Sequence, residues 1–317
     1  MEWIIEENCY NLESIEVIIP YFKPFLDIVL HKLNITSLDY FVIADSREDI
    51  YAETVNKYAS LVGTETYITQ DGVYYTAGKS LDGLDKDGKY HQAIVIKSSV
   101  FVCAAYEYMG AQGLLNPEFI AQMETPPFMS MLLIIHELGH AIDNERQYEI
   151  SGTVNRRVLF DLDYEYDEYV KLNALSLWGE YFAESFAHNI IRSIVGETTS
   201  KESELEECIR TYSFGTDRHS LLERVYRLLY YFMFQLSYVH QSNNFSKVFD
   251  YSKYEEDAFL SLYVPILANV EVAILKLNRR YPYWDSYEEL NELSAIFKEF
   301  VIFEKKIQHK TLCESTS

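Results

Sequence analysis

The sequence predicts an α+β fold, mostly α, with a small mixed sheet in the N-terminal half, one buried central helix and a helical C-terminal lobe. Three observations carry this. Glycine (12) and proline (7) are scarce in 317 residues, which disfavours a turn-rich all-β fold. The strongest strand patterns lie before residue 104. From residue 171 onward, apolar residues recur at helical spacing almost without a break. Hydrophobic residues make up 48% of the chain, ample for a core, and the length suits one large domain or two small ones. We place an N-terminal α/β lobe at 1–148, ending in the central helix, and a helical lobe at 149–317, in which 200–317 is a candidate extra domain.

Taken in order, residues 13–33 are amphipathic and helical, with Pro20 and Pro24 marking a break or kink. Residues 38–45 (LDYFVIAD) read as a strand and 48–62 as a helix. The runs 64–69 and 72–77 suit a hairpin around Gln70-Asp71. Residues 79–89 (KSLDGLDKDGK) read as an exposed loop. The run 90–103 (YHQAIVIKSSVFVC) is the strongest strand pattern, read either as an ordinary internal strand or as the edge of a cleft. That helix is expected at about 126–148, with Thr125 as cap and Pro126 and Pro127 in its first turn. In 156–169, acids alternate with aromatics (Asp161, Asp163, Glu165 and Asp167 against Leu162, Tyr164 and Tyr166). This is read as an extended segment, either a solvated edge or an acidic rim. Helices follow at 175–195, 218–241, 254–280 (interrupted near Pro265) and 285–307, the last capped by Asp285 or Ser286.

The net charge of −22 argues against a nucleic-acid or anionic-membrane partner and suits a basic one. Cys9, Cys103, Cys208 and Cys313 are scattered without a C-x-x-C spacing, so thiolate metal binding is disfavoured and reduced thiols are expected. No signal-peptide pattern or membrane-length apolar run is seen, so a cytoplasmic location is expected, with export by an unconventional route left open.

The chemistry lies in His136-Glu137-Leu138-Gly139-His140. Positions four apart share one helix face, so His136 and His140 can aim two imidazole nitrogens at one point, with Glu137 beside them as a general base. The H-E-x-x-H pattern is that of zinc peptidases. The flanks, residues 131–135 and Ala141-Ile142, are apolar nearly all round, which buries the helix. Buried imidazoles and carboxylates need partners, and Zn2+ supplies one.

A catalytic zinc needs a third protein ligand. Asp143 and Arg146 stand where the extended H-E-x-x-H-x-x-G-x-x-H pattern needs glycine and histidine. Glu180 and Glu184 are the best candidates. They share one face of a helix rich in Trp178, Phe182, Ala183 and Phe186, and two acids there would be costly without a cation opposite. Asp143 and Glu145 are less suitable because they ride on the motif helix itself.

H-E-L-G-H followed by E-x-x-A-E-x-F-A (180–187) resembles two gluzincin groups: the ImmA/IrrE-like bacterial metallopeptidases and the catalytic domain of anthrax lethal factor-type toxins. The likeness spans roughly 90–195, and the step from His140 to Glu180 is nearer the toxin pattern. The resemblance implies a zincin-like fold with metal ligands His136, His140 and Glu180, general base Glu137, and Glu184 hydrogen-bonded to a ligand histidine. It implies a zinc metallopeptidase, an endopeptidase acting on a protein or peptide substrate, basic if the charge is a guide. Tyr166, Tyr169 and His219 are candidates for stabilising the oxyanion. His188, on the Glu180 face, is read as solvated. The alternative is a zinc-binding regulatory protein of the same fold without proteolysis, against which the intact Glu137 speaks.

Overall fold

Buried on both faces, the two most hydrophobic strands cannot show an alternating pattern, and they form the middle of the sheet. In the computed structural model these are β2 (Leu38–Ala44) and β4 (Tyr90–Lys97), flanked by β1 (Glu2–Ile5) and β3 (Gly78–Leu84) in the order β1-β2-β4-β3. The first three are parallel, and β3 is an antiparallel edge strand paired with β4. The structure describes residues 1–10, 12–33, 35–64, 76–116, 129–152, 166–196, 206, 209–210, 218–242 and 248–315.

The chain divides into two compact units, one of residues 1–155 and 186–199, the other of 156–185 and 200–317. In the first, helices α1 (Leu12–Leu33), α3 (Ser98–Ala111) and α4 (Met129–Ser151) share a core with one sheet face, through Phe22, Phe41, Ile94, Phe101, Ile134 and Leu138. Each buried side chain of this size contributes about 1.5–3 kcal/mol. Helix α2 (Glu48–Val62) covers the other face with Tyr51, Val55 and Tyr58 against Val42 and Val95. It ends on Gly63, whose φ of 78° fits the left-handed cap. A Cβ there would lie 1.9 Å from the Leu84 carbonyl oxygen at the end of β3.

In the second unit, the N-terminal part of α5 (Tyr166–Val195) belongs with α6 (Arg218–Ser242), α7 (Val264–Arg280) and α8 (Asn291–Ser315). Trp178 anchors it, 4.8 Å from Trp284 and 5.2 Å from Tyr281 between ring centroids. Arg224 on α6 and Glu304 on α8 form an ion pair at 3.0 Å, with side chains 3% and 0% exposed.

The α+β, mostly α class holds, and several local expectations need correction. Residues 78–84 are strand β3, and only the following turn is a loop, where Asp85 accepts the Asp87 and Lys89 N–H groups. The strand at 90–103 ends at Lys97 and becomes α3 without a loop, the Ser99 N–H bonding the Ser46 hydroxyl. Strand β4 is also internal, so the sheet edge belongs to β3. Helix α1 runs unbroken through Pro20 and Pro24, because both prolines and Glu16 face solvent, where water can bond the carbonyls left without an N–H. Residues 166–169 are helical, forming the first turn of α5. The hairpin at 64–77, the cap at 125–127 and most of the acidic alternation lie outside the described residues. Pro265 opens α7, and the Ser286 hydroxyl accepts the Glu288 N–H before α8. Among the described residues, no helix is long and apolar enough to cross a membrane.

Removing one partner of a buried ion pair strands the other charge. Arg224→Met is therefore expected to lower the unfolding free energy in urea by about 3–5 kcal/mol. The double variant Arg224→Met/Glu304→Leu should recover most of that loss.

Candidate metal centre

Helix α4 has two kinds of buried surface. Met131, Ile134, Ile135, Leu138 and Ala141 enter the apolar core. Another face carries His136, Asp143, Asn144 and Gln147, all buried. The rings of His136 and His140 lie 4.6 Å apart at 86°. Two groups distant in sequence hold the helix at either side of the motif. Glu107 of α3, itself buried, accepts the N–H groups of Ser130 (3.2 Å) and Met131 (2.8 Å) in the first turn. Gln92 of β4 donates its amide to the Ala141 carbonyl at 3.0 Å and to the Ser37 hydroxyl at 2.8 Å. Asn144 reaches the Ser80 hydroxyl of β3 at 3.4 Å.

Glu180 is carried by α5. Two turns further along that helix, Ala187 and Ile191 are fully buried in the same core as α4, with Phe186, Ile190 and Ile194 packed around them. Ligand atoms of His136, His140 and Glu180 all lie within 4.8 Å of one another. Zinc takes nitrogen and oxygen donors at about 2.0–2.2 Å, so the donors of a tetrahedral shell sit about 3.4 Å apart. The 4.8 Å bound on the group is compatible with that spacing after small side-chain rotations. Two imidazoles and one carboxylate are also the donor set of a catalytic zinc, so the residues fit the metal.

Glu137 points to the sheet edge. A Cβ on Gly78, the first residue of β3, would come 2.8 Å from its Cγ and 2.6 Å from Ile96 Cδ1. The missing side chain thus lets the carboxylate lie against the strand. Behind it, the fully buried Tyr51 donates to the Val95 carbonyl at 3.0 Å. Burial raises the Tyr51 phenol far above its ordinary range, and the negative charge of Glu137 adds to this.

Glu184, one turn beyond Glu180, is buried. His188 is buried as well, at 4% exposure, and not solvated as expected, because this stretch of α5 enters the core. Asp143 accepts the Gln147 amide, and Glu145 accepts the Thr36 N–H and hydroxyl. Tyr169 is half-buried, its phenol raised first by burial and then by Glu223. Tyr166 and His219 belong to α5 and α6, and their side chains lie outside the described set.

Sequence reasoning missed Glu107, Gln92 and Gly78, whose roles depend on contacts about 20 to 60 positions away. It also missed Tyr226 on α6. The Tyr226 hydroxyl lies 2.8 Å from the Ser176 hydroxyl. Its phenol is raised by burial first and then by the charge of Glu180. The chain matches no protein-family model, no curated protein and no solved structure.

Burial pushes the Glu107 carboxyl up to about 7, against the pull of the Met131 and Ser130 donors. A raised folded-state pKa means the folded chain holds this proton more tightly than the unfolded chain. The associated stability is full below about pH 4.5 and is lost as pH rises through about 7. Thermal melts of Glu107→Gln, which cannot titrate, should therefore fall less than wild type between pH 5 and 8.

Proposed function

We propose that this chain is a zinc-dependent metallopeptidase of the gluzincin kind, cleaving within a peptide or protein substrate. The observation that carries the reading is the convergence of His136, His140 and Glu180 ligand atoms beside a carboxylate, Glu137, that no metal ligation requires. His136, His140 and Glu180 would hold the ion. Zinc, when bound, acidifies a water and polarises a carbonyl oxygen. Glu137 takes the proton of the attacking water and delivers it to the departing amine, the work of a general base turned acid. Its place against β3 puts this carboxylate where an extended peptide can lie. Among the described residues no strand pairs with the outer edge of β3, and that edge offers backbone donors and acceptors to a peptide. The influence of Glu180 on the Tyr226 phenol supports Tyr226 as a further hydroxyl for the developing oxyanion.

The charge of −22 favours a basic peptide over nucleic acid or an anionic membrane, and a cytoplasmic location accords with this reading. The motif resemblance to the ImmA/IrrE-like and lethal factor-type enzymes belongs to the same proposal.

Two measurements test it. Glu137→Gln should abolish cleavage of a basic-rich peptide library while retaining one zinc per chain by elemental analysis. Cleavage by this variant at the wild-type rate would remove the mechanism, and zinc-free wild type would remove the site. Gly78→Ala pushes on Glu137 and not on the ligands, so it should lower kcat by about 100-fold, the scale of a 1 Å misplacement, with zinc content unchanged.

A further inference from the structure

Tyr181 follows Glu180 on α5, and one residue turns a side chain about 100° around the helix. It is fully buried, and its hydroxyl meets Nδ1 of His240 on α6 at 2.8 Å. On the other side of that ring, Nε2 lies 3.0 Å from Oε1 of Glu271 on α7. Glu271 Oε1 also accepts the Phe249 N–H at 2.7 Å, and Oε2 accepts the Tyr251 hydroxyl at 2.9 Å. Burial opposes the charge on Glu271. His240, the Phe249 N–H and the Tyr251 hydroxyl outweigh it and hold the carboxyl below its ordinary range. An ionised carboxylate only accepts hydrogen bonds, so Nε2 carries a hydrogen, and in the neutral imidazole Nδ1 accepts from Tyr181. His240 is 0% exposed and Glu271 3%. No step of the proposed hydrolysis uses these groups.

We propose that Tyr181, His240 and Glu271 are positioning residues that fix the rotation of α5 about its axis and so hold Glu180 toward the two histidines. The inference rests on the metallopeptidase reading. Apolar packing around Trp178 resists separation of helices but only weakly resists rotation, because dispersion contacts are non-directional. A rotation of about 20° moves a carboxylate about 6 Å from the helix axis by about 2 Å. That is the length of a zinc–oxygen bond. A chain of directional hydrogen bonds that begins one residue from Glu180 is suited to remove this freedom.

Tyr181→Phe deletes one oxygen and keeps the ring. The full-length protein is titrated with Zn2+ against a chromogenic chelator, its cobalt form is read by visible absorption, and the metal-free form is melted. The expected result is a zinc dissociation constant raised about tenfold, typical of losing a group that orients a metal ligand, with an altered cobalt spectrum. His240→Leu should weaken zinc similarly. His240→Gln, whose amide can accept from Tyr181 and donate to Glu271, should restore most of the affinity. Tyr263→Phe is the control: it removes another fully buried phenol oxygen of the same unit, one close enough to Glu304 to temper the rise of its carboxyl. It should lower the melting temperature and leave zinc affinity unchanged. Wild-type affinity in Tyr181→Phe and His240→Leu overturns the inference and leaves the metallopeptidase reading standing. So does an equal loss of affinity in Tyr263→Phe, which assigns the effect to general loosening of the unit. A wild-type chain that binds no zinc overturns the reading and the inference together.

Discussion

The burial of α4 is the constraint on which the rest of the first unit depends. A helix that takes His136, Asp143, Asn144 and Gln147 out of water must return their hydrogen bonds from protein groups or a ligand, since each unmet group costs on the order of 1–3 kcal/mol. The opposite face of the same helix supplies the offset. Met131, Ile134, Ile135, Leu138 and Ala141 lose almost all their water exposure. The helix is therefore held where it is by apolar burial, and the polar face is carried in with it. Such a face is worth its desolvation only if it does chemistry or fixes a structure.

Position along the helix axis is controlled separately from depth. Glu107 grips the first turn and Gln92 the Ala141 carbonyl just past the motif. Both come from elements packed in the same unit, α3 and β4. A carboxylate on free N–H groups at a helix N-terminus is favoured by the helix dipole, and here it also sets register. The same economy appears at β3, where a glycine at residue 78 gives up side-chain packing so that Glu137 can approach the sheet edge.

Helix positions and the motif were legible in the sequence because their information is local. Periodicity marked 48–62 and 218–241 closely, and H-E-x-x-H with the two-acid helix singled out His136, His140 and Glu180 before any coordinates. Strand β3 was not legible. Its sequence, GKSLDGL, has the glycines and charges of a loop, and it becomes a strand only because β4 offers it a complete antiparallel ladder. The change from strand to helix at Lys97–Ser98 was hidden for a related reason. Both sides of that junction are buried, so neither period 2 nor period 3.6 stands out. Glu107, Gln92 and Tyr226 were beyond reach, since nothing near them in sequence distinguishes a buried hydrogen-bonding acid, amide or phenol from a surface one.

Helix α5 faces a conflict that explains its composition. Over 186–195 it must be apolar to sit in the core with Ile191 and Ala187, yet Glu180 and Glu184 bring two carboxylates onto the preceding turns. Small residues ease the first demand: Gly179, Ala183 and Ala187 are all buried and permit close approach of neighbouring elements. The polar chain from Tyr181 through His240 to Glu271 is saturated at its carboxylate end, so it adds direction without leaving a bare charge. A helix built only to pack would have no use for either acid. A helix built only to present acids would sit at the surface, where side-chain entropy and water would blur their positions. Carrying the acids on a helix held at several points is the arrangement that keeps the Glu180 carboxylate close to the two imidazoles.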